Sequence, residues 1–581
     1  MNEEYVDKKV REIEKVIDKV HNKNDIWKND RTELIYNTLL VFEDMTRIVA
    51  PVSMMLMQDA NIMINRNADC LDMLIKWIYE CSEENNSEFT NEVNPGLYMK
   101  IGNLMNEAGK YRAICDAYVL YSRKLSTATL YNNDEGIKFD YLRGKTGEIE
   151  AYDLMRGNTK KNSAINKFDY NDPEMKKASD KLIMNLKVDN ETVDYVITSD
   201  IWNGFYKLAD LSVESSSELP GEWKLDVFSL NEFKSVWKTL LTLSIIHNTC
   251  CLKSGIKGGS INNCVIIKKF DELVDEITKY TQLDITKVNT ILQLLTYSEH
   301  NDNKNMDVIW TPIIPLKNNF VAIPPNLIMI GNPERNLICL VNKVNSKSYS
   351  LVSCKKEESM IEDFKNHINK YTNIEFAYTK KLPDPLPDMD IVMFDKNSDV
   401  LLIGELKWLL QTDSIQEVCE RDKDIKKGIS QASDIREYAE KNIDDVINRS
   451  YYEKQFHPTK IYTCVITRNN IGTSKVEDST IKVIDEDGIY ELIKEAKGNL
   501  SIVIEKIENK EYIRDKKIDY KSECKEIEYG GYTFSLDVVQ ANEDNYSIYD
   551  KKVISKKNKK NKKPNRKISK NSKRINRRKK K

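Results

Sequence analysis

Three charged residues interrupt apolar sequence in the second half of the chain: Asp390, Glu405 and Lys407. Two carboxylates supply the oxygen ligands that a hard divalent cation such as Mg²⁺ or Mn²⁺ prefers. Such a cation polarises a phosphoryl oxygen and acidifies a bound water, and a nearby ammonium group can stabilise the charge that develops. The three residue types therefore predict metal-dependent hydrolysis of a phosphodiester bond, provided that the fold brings them together.

Two neighbouring strands are needed to position these residues, and the surrounding pattern predicts both, at 389–394 and 401–407. Alternate residues of a strand share a face, so Glu405 and Lys407 point to the same side. The opposite face is also apolar, which predicts a central strand that is covered on both sides. Because burial of charge costs free energy unless the groups have partners, we expect Glu405 and Lys407 at the end of the strand, beside a cleft.

Further helices and strands are predicted around these two between residues 346 and 500. The pattern predicts helices at 357–371 and 415–447, strands at 376–380 and 460–467, and a strand followed by a helix at 482–496. Helices alternating with strands are typical of a sheet covered by helices, so we predict an α/β domain.

The chemistry-bearing segment also resembles a known motif. Asp390, a hydrophobic strand, a turn and then Glu405-Leu406-Lys407 are similar to the motif of the PD-(D/E)XK nuclease superfamily, over about 140 of the 581 residues. The resemblance implies a restriction-endonuclease-like fold, with Asp390 and Glu405 as ligands of Mg²⁺ or Mn²⁺ and Lys407 as the catalytic lysine.

Accessory residues are also implied by the resemblance. Members of the superfamily often add an acid from the preceding helix, which here is Glu362, with Glu358 as its rival, and a glutamine from the following helix, which here is Gln431. Asp388, which follows a proline, is the other possible first acid. Asp390 is preferred because Asp388 precedes the hydrophobic run by one extra pair of residues.

The Glu-x-Lys spacing alone is a weak signal in a chain of which 31% is charged, and it recurs at Glu174, Glu222, Glu232, Glu495, Glu508 and Glu523. None of these recurrences has both an apolar strand directly before it and an aspartate-led strand upstream. The competing interpretation is an ordinary α/β domain with an exposed Glu-Leu-Lys at a strand end. A related alternative is an inactive nucleic-acid-binding or assembly protein that uses the nuclease-like fold and a basic tail.

The chain as a whole is predicted to be multidomain, since 581 residues exceed one typical core. We predict an α-helical region at 1–225, a small mixed α+β region at 226–345, the restriction-endonuclease-like α/β domain at 346–500, an extension at 501–550 and a disordered basic tail at 551–581. The middle region is expected to contain helices at 232–247 and 270–280 and strands at 308–314, 320–323, 327–330 and 337–341.

The net charge of −2 conceals a strong asymmetry, because residues 551–581 contain 18 Lys and Arg and no acid. The remaining chain has 71 basic residues against 91 acidic ones. Such a tail has too little apolar content to fold and can bind phosphates, so we expect a nucleic-acid partner, DNA in preference to RNA. The N-terminal helical region is a candidate for recognising the substrate or a protein partner.

A second basic set lies on the predicted helix that follows Lys407, at Lys423, Lys426, Lys427 and Arg436. These side chains could hold backbone phosphates beside the cleft. Acidic residues are interspersed among them, and an ordinary solvated helix face explains the pattern equally well.

Several other classes of protein and site are not indicated. The segment 254–260 lacks the GxxxxGK[ST] pattern of a Walker A loop, and the five histidines and eleven cysteines lack zinc-ligand spacing. No apolar run is long enough to predict a transmembrane span, and the N-terminus lacks the pattern of a secretory signal. We therefore expect a protein of the cytoplasm with no membrane partner.

Overall fold

The structure is a computed structural model. It describes residues 3–541 except 54–56, 87, 142–171, 190–191, 216, 218, 220–222, 226, 255–262, 299–305, 345, 453, 479, 514–517 and 519. The predicted tail at 551–581 lies outside the described residues. No described helix is both long enough and apolar enough to cross a membrane.

Helices and strands alternate irregularly along the chain, which makes the fold mixed α+β. The described helices are α1 (Glu3–Ile17), α2 (Arg31–Ser53), α3 (Met57–Cys81), α4 (Pro95–Ser122), α5 (Pro173–Asn185), α6 (Ser199–Ser215), α7 (Leu230–Ser254), α8 (Phe270–Thr281), α9 (Ile285–Leu294), α10 (Pro325–Ile330), α11 (Pro333–Val344), α12 (Ser346–Ile368), α13 (Ile415–Lys441), α14 (Ile443–Ser450), α15 (Glu486–Glu495) and α16 (Leu500–Glu508). The described strands are β1 (Ser126–Tyr131), β2 (Gly136–Tyr141), β3 (Lys187–Asp189), β4 (Thr192–Asp194), β5 (Lys224–Leu225), β6 (Phe228–Ser229), β7 (Ile266–Lys269), β8 (Ile314–Pro315), β9 (Phe320–Ile323), β10 (Ile374–Lys380), β11 (Met389–Asp395), β12 (Val400–Trp408), β13 (Lys460–Arg468), β14 (Lys482–Asp485), β15 (Tyr520–Tyr529) and β16 (Tyr532–Ala541).

The predicted α/β segment forms a five-stranded sheet in the order β10-β11-β12-β13-β14. The pairs β10–β11 and β11–β12 are antiparallel, whereas β12–β13 and β13–β14 are parallel. β12 is the central strand, and the predicted strands of this segment are confirmed with small shifts at their ends. The helix predicted at 357–371 begins earlier, at Ser346, and the helix predicted at 415–447 is divided into α13 and α14.

Both faces of this sheet are covered, as the apolar composition of β12 predicts. On one face, Val392 and Ile403 pack with Ile435 of α13 and with residues of α14. On the other face, Leu402 and Leu406 pack with residues of α12, α15 and α16. Since α16 belongs to this core, the sheet unit extends beyond residue 500, where the predicted extension begins.

Apart from β1 and β2, the helices and short strands between Ile26 and Val341 share one hydrophobic core. Within it, α7 packs on α6, α10 and α11. The predicted boundary at residue 225 therefore falls inside a continuous core. Side chains on both sides of that position bury one another, and Trp237 of α7 is fully buried within the core.

A third core joins the two ends of the described chain. β15 and β16 form a hairpin, and β16 pairs in parallel with β2 to give a four-stranded sheet in the order β1-β2-β16-β15. Phe139 and Phe534 from this sheet pack against Tyr118 of α4. The region predicted as an extension thus completes a sheet with residues of the N-terminal region.

Two strands predicted in the middle region are wrong. Residues 327–330 lie in α10 and residues 337–341 in α11, and Pro325 and Pro333 occupy the first position of these helices. A short continuous apolar run does not distinguish a buried strand from a buried helix, and a proline at the first helical position favours the helix. Most of the predicted strand at 308–314 is a turn, and β8 begins only at Ile314.

Candidate active site

Asp390 and Glu405 lie on adjacent antiparallel strands and face the same side of the sheet. In the register of β11 and β12, Val392 is opposite Ile403 and Ile391 is opposite Gly404, so the next pair along the two strands is Asp390 and Glu405. One carboxylate oxygen of Asp390, Oδ2, accepts a hydrogen bond from the backbone N–H of Leu406 at 2.7 Å. The two predicted acids are therefore close neighbours.

Lys407 completes the predicted set from the same face of β12. Its Nζ donates to Glu405 Oε1 at 2.5 Å and to the carbonyl oxygen of Leu406 at 3.1 Å. Glu405 is only 2% exposed. Its second oxygen, Oε2, is buried and has no hydrogen-bond partner in the structure. A buried carboxylate oxygen without a partner carries a large desolvation cost, and a bound cation would offset that cost.

Burial and mutual repulsion disfavour two ionised carboxylates at this position. Burial, followed by the charge of Glu405, raises the pKa of Asp390 to about 8. Burial also raises the pKa of Glu405, although Lys407 acts in the opposite direction. Burial lowers the pKa of Lys407, but the attraction of Glu405 outweighs this effect and the pKa is raised overall. The ammonium group of Lys407 thus stays charged. The neighbouring carboxyl groups of Asp390 and Glu405 are more stable when they share a proton or bind a cation.

Helix α13 crosses directly above Lys407, and Gly428 permits the close approach. A Cβ atom at residue 428 would lie 3.1 Å from both Cγ and Cε of Lys407 and 3.2 Å from Val465. One turn further along the helix, Gln431 has a buried Oε1 without a hydrogen-bond partner. Gln431 is the predicted glutamine of the following helix. Gly428 was missed, although a glycine in the middle of a long helix is a signal of close packing.

The acid that acts on this site from the preceding helix is Glu357 of α12. The charge of Glu357 raises the pKa of Asp390, of Glu405 and of Lys407. Glu358 and Glu362 are exposed, and Glu362 pairs with Lys365 at 3.4 Å. Helical phase explains the difference, because Glu357 lies one turn before the buried Ile361, whereas Glu362 is on the solvent face.

The remaining predicted residues fall at different distances from the site. Asp388 is exposed and precedes β11, which leaves Asp390 as the acid beside Glu405. Within the basic set of α13, Lys427 is exposed, and its charge lowers the pKa of Glu405. Arg436 instead donates to Glu440 and to the carbonyl oxygen of Thr480, while Lys423 and Lys426 are exposed.

Arg335 of α11 attaches the segment after β12 to the helical core, and sequence reasoning missed it. It is 3% exposed. Its guanidinium donates to both carboxylate oxygens of Glu417, at 2.9 and 3.0 Å, and to the carbonyl oxygen of Gln411 at 3.0 Å. This bidentate pairing fixes the loop between β12 and α13 against the rest of the chain. A single arginine in a charged helix offers no signal of such a long-range partner.

The side chains at this site offer few oxygen ligands for a divalent cation. Within the described part of the chain, no group of three or more His, Cys, Asp and Glu side chains has a geometry that could hold a metal ion. Asp390 and Glu405 supply two carboxylates, and Glu405 Oε2 is without a partner. Mg²⁺ is commonly held by one or two carboxylates together with water and substrate phosphate. One buried and one half-buried carboxylate fit such a hydrated ion and do not fit a site built from protein ligands alone.

The arrangement combines an acid pair and a charged lysine at the end of β12 with a half-buried glutamine of α13 whose Oε1 is buried. Such a set can bind a cation, hold a phosphoryl oxygen and orient a water molecule. No protein-family model, curated protein or solved structure matches this chain.

Proposed function

We propose that this chain is a metal-dependent nuclease that hydrolyses phosphodiester bonds, with a restriction-endonuclease-like domain built on β10–β14. The observation that supports this best is the convergence of Asp390, Glu405 and Lys407 at the end of β12. In this position Glu405 Oε2 is buried without a partner, and Asp390 has a pKa raised to about 8. The proposed cofactor is Mg²⁺ or Mn²⁺, with Asp390 and Glu405 as its ligands.

The side chains have separate roles in this proposal. When bound, the cation supplies Lewis-acid chemistry at the phosphoryl group. Lys407, whose pKa is raised by Glu405, stays protonated and donates to a phosphoryl oxygen or to the attacking water. Gln431 is proposed to use its free Oε1 to accept a hydrogen bond from that water. Gly428 keeps α13 close to Lys407, so the ammonium group is held before substrate binds.

The proposed substrate is DNA, with RNA as the second possibility. Phosphate contacts are proposed for Lys427 at the cleft and for the 18 Lys and Arg of residues 551–581. We also propose that the helical core between Ile26 and Val341 recognises the substrate or a protein partner. A defence or mobile-element setting suits a nuclease with such an accessory region, by analogy only.

A cleavage assay on the full chain tests the proposal. Supercoiled plasmid and single-stranded RNA are incubated with the protein during titration of Mg²⁺ and Mn²⁺, with and without EDTA. We expect cleavage that requires the metal and is lost in Glu405→Ala and Lys407→Ala. Metal-dependent cleavage that survives in both variants would refute the assignment of the site.

The chain offers a matched control for these substitutions. Glu523 and Lys525 have the same Glu-x-Lys spacing on β15, but both are exposed. Glu523→Ala and Lys525→Ala should cleave at the wild-type rate. Loss of cleavage in the control variants as well would show that the effect is not specific to β12.

A second candidate function is nucleic-acid binding without cleavage, and one observation favours it. Lys407 Nζ is already paired with Glu405 Oε1 at 2.5 Å, so one ligand oxygen is occupied by the ammonium group. If that pair is permanent, the fold serves as a scaffold and the basic tail provides the affinity. This alternative is distinguished by salt-sensitive binding that EDTA does not change, together with no cleavage at any metal concentration.

A further inference from the structure

A cavity of about 510 Å³ lies in the helical core, away from the strands of the proposed active site. Two helices line it, α7 with Leu240, Leu243 and His247, and α8 with Leu273, Glu276 and Tyr280. Both sets have the spacing i, i+3, i+7, which places three side chains on one face of a helix. Small-molecule sites have volumes of about 300–1,000 Å³ and mostly apolar walls with a few polar groups. The cavity has this size and this kind of lining.

His247 is held in one tautomer at the wall of the cavity. Its Nε2 lies 2.6 Å from the carbonyl oxygen of Asn263, which can only accept, so Nε2 carries the proton and donates. Nδ1 therefore accepts the hydrogen bond from the hydroxyl of Tyr195, at 2.9 Å. Burial lowers the pKa of His247 to about 4, in agreement with a neutral ring. Because the proton of Tyr195 is donated to His247, the hydroxyl oxygen offers a ligand only an acceptor.

A donor and an acceptor lie next to each other on another part of the wall. Lys268 of β7 pairs with Glu276 of α8, and both side chains line the cavity. These side chains are 30% and 24% exposed, so a ligand can reach them. An ammonium group has three donors and a carboxylate has two acceptor oxygens, so the pair can bind a ligand without separating. An aromatic ring with adjacent donor and acceptor atoms on one edge matches this pair.

Tyr280 gives the cavity an aromatic wall with a fixed orientation. Its ring stacks on Trp202 of α6, with the ring centroids 3.7 Å apart and an angle of 10° between the planes. Leu240, Leu243 and Leu273 add aliphatic surface to the same cavity. Flat rings pack well on aromatic and aliphatic side chains. The walls therefore favour a flat ligand with a large apolar area.

The charges at the cavity disfavour a ligand that carries phosphate. Asp194 and Glu276 line the cavity with carboxylates, whereas Lys268 is the basic residue that lines it. A phosphate would thus meet more negative than positive charge, and like charges at short distance repel each other. Hydroxyl groups of a sugar suit these side chains better, because they can donate to Asp194 and to the oxygen of Tyr195.

We propose that this cavity binds an uncharged purine nucleoside. The base lies against Tyr280 and the leucines, and its edge of donors and acceptors meets Lys268 and Glu276. The ribose hydroxyls donate to Tyr195 and Asp194. A purine is favoured over a pyrimidine because two fused rings cover more of the apolar wall. The site shares no residue with Asp390, Glu405 and Lys407, and the proposal does not depend on nuclease activity.

Calorimetric titration of the full chain tests the proposal with adenosine, guanosine, cytidine and adenosine monophosphate. We expect saturable binding of the two purine nucleosides and binding of cytidine and of adenosine monophosphate that is about tenfold weaker or more. Tyr195→Phe removes the acceptor oxygen and should weaken adenosine binding about tenfold. Leu243→Trp fills the cavity and should abolish binding.

Matched controls on α6 change the same residue types outside the cavity. Tyr206 stacks on Trp202 at a centroid distance of 6.0 Å, and Leu211 is 59% exposed. Tyr206→Phe and Leu211→Trp should bind adenosine with the Kd of the parent. The melting temperature of each variant is measured without ligand. If Leu243→Trp does not fold, Tyr195→Phe, which keeps the ring, decides the outcome.

Four results would overturn the proposal or one of its parts. The absence of binding of every nucleoside at its solubility limit would show that the cavity is not a nucleoside site. An unchanged Kd for adenosine in Tyr195→Phe, or in a folded Leu243→Trp, would place any binding elsewhere on the chain. Cytidine that binds as tightly as adenosine would overturn the preference for a purine. Adenosine monophosphate that binds as tightly as adenosine would overturn the exclusion of phosphate.

Discussion

Glu405-Leu406-Lys407 on β12 and Glu523-Cys524-Lys525 on β15 have the same spacing, and both lie on β-strands. β12 is the central strand of a sheet that is covered on both faces, whereas β15 is an edge strand with Glu523 and Lys525 exposed. In water an ion pair contributes little and each charge is solvated. In the core, each charge needs a specific partner. Burial, and not spacing, therefore distinguishes the Glu405–Lys407 pair from the solvated Glu523–Lys525 pair.

The largest expected effect is on the rate of cleavage, which should depend on the Glu-x-Lys motif of β12 and not on that of β15. Lys407→Ala should lower kcat/KM for cleavage by about a thousandfold, because it removes a donor aimed at developing charge in a dry site. Lys525→Ala should leave kcat/KM unchanged. Rates are measured on plasmid DNA at saturating metal. Equal losses of kcat/KM in the two variants would show that burial does not distinguish the β12 motif from the β15 motif.

The next effect concerns the helix that covers β12. Gly428→Val forces a side chain against Lys407 and Val465 and should lower kcat/KM about tenfold or more, since small displacements of a positioned group reduce rates strongly. Gly102 of α4 is the control, because a Cβ there would meet no atom within 4 Å. Gly102→Val should retain full activity. Full activity in Gly428→Val as well would mean that the position of α13 does not control Lys407.

A third effect concerns stability as a function of pH in the metal-free protein. The folded pKa of Asp390 is raised to about 8, above its unfolded value, so between these values the folded state binds more protons. The free energy of unfolding therefore falls as pH rises through this window, relative to Asp390→Asn, and the difference levels off above pH 8. Urea denaturation from pH 5 to 9 measures it.

Glu523 is the control for the same measurement, because its pKa is shifted in the opposite direction from that of Asp390. Its hydrogen bond to Lys521 lowers the pKa of this exposed carboxyl, so its stabilisation is present above the unfolded pKa and is lost as pH falls through the folded pKa. Glu523→Gln should therefore match the parent chain in its dependence on pH from 5 to 9. A parallel pH dependence of the parent and Asp390→Asn would contradict a raised pKa of Asp390.

The smallest expected effect distinguishes Glu357 from Glu362 as the acid of α12 that acts on the site. Glu357→Gln removes a charge that raises the pKa of Asp390 and Glu405, so half-maximal metal-dependent activity should shift to lower pH by a few tenths of a unit. Glu362→Gln, on the exposed face of the same helix, should show no shift. A shift in Glu362→Gln alone would favour the acid that was predicted from the sequence.

Much of the sheet was predictable from the sequence because its elements are long and strongly patterned. β11, β12 and β13 were predicted in order, and the alternation of apolar residues in β12 identified the face that contains Glu405 and Lys407. Predictions were weakest where runs were short. The runs 327–330 and 337–341, which lie in α10 and α11, were predicted as strands because apolar runs of four and five residues do not define a period.

The accessory residues were harder to predict than the central ones. Asp390, Glu405 and Lys407 lie within 18 residues of one another, so strand alternation alone brings them together. Glu357 depends on the rotation of a separate helix, and Arg335 depends on packing between distant segments of the chain. A local pattern contains no information on either contact.

Residue types and the two-residue period of a strand are enough to identify Asp390, Glu405 and Lys407 as candidates and to place Glu405 and Lys407 on one face of β12. The surroundings of these side chains depend on how distant parts of the chain pack. Tertiary packing buried Glu405 without a partner for one oxygen, brought α13 over Lys407 at Gly428, and joined β16 to β2 across almost four hundred residues. Burial and long-range pairing depend on the whole chain packing at once, and for that reason no local segment specifies them.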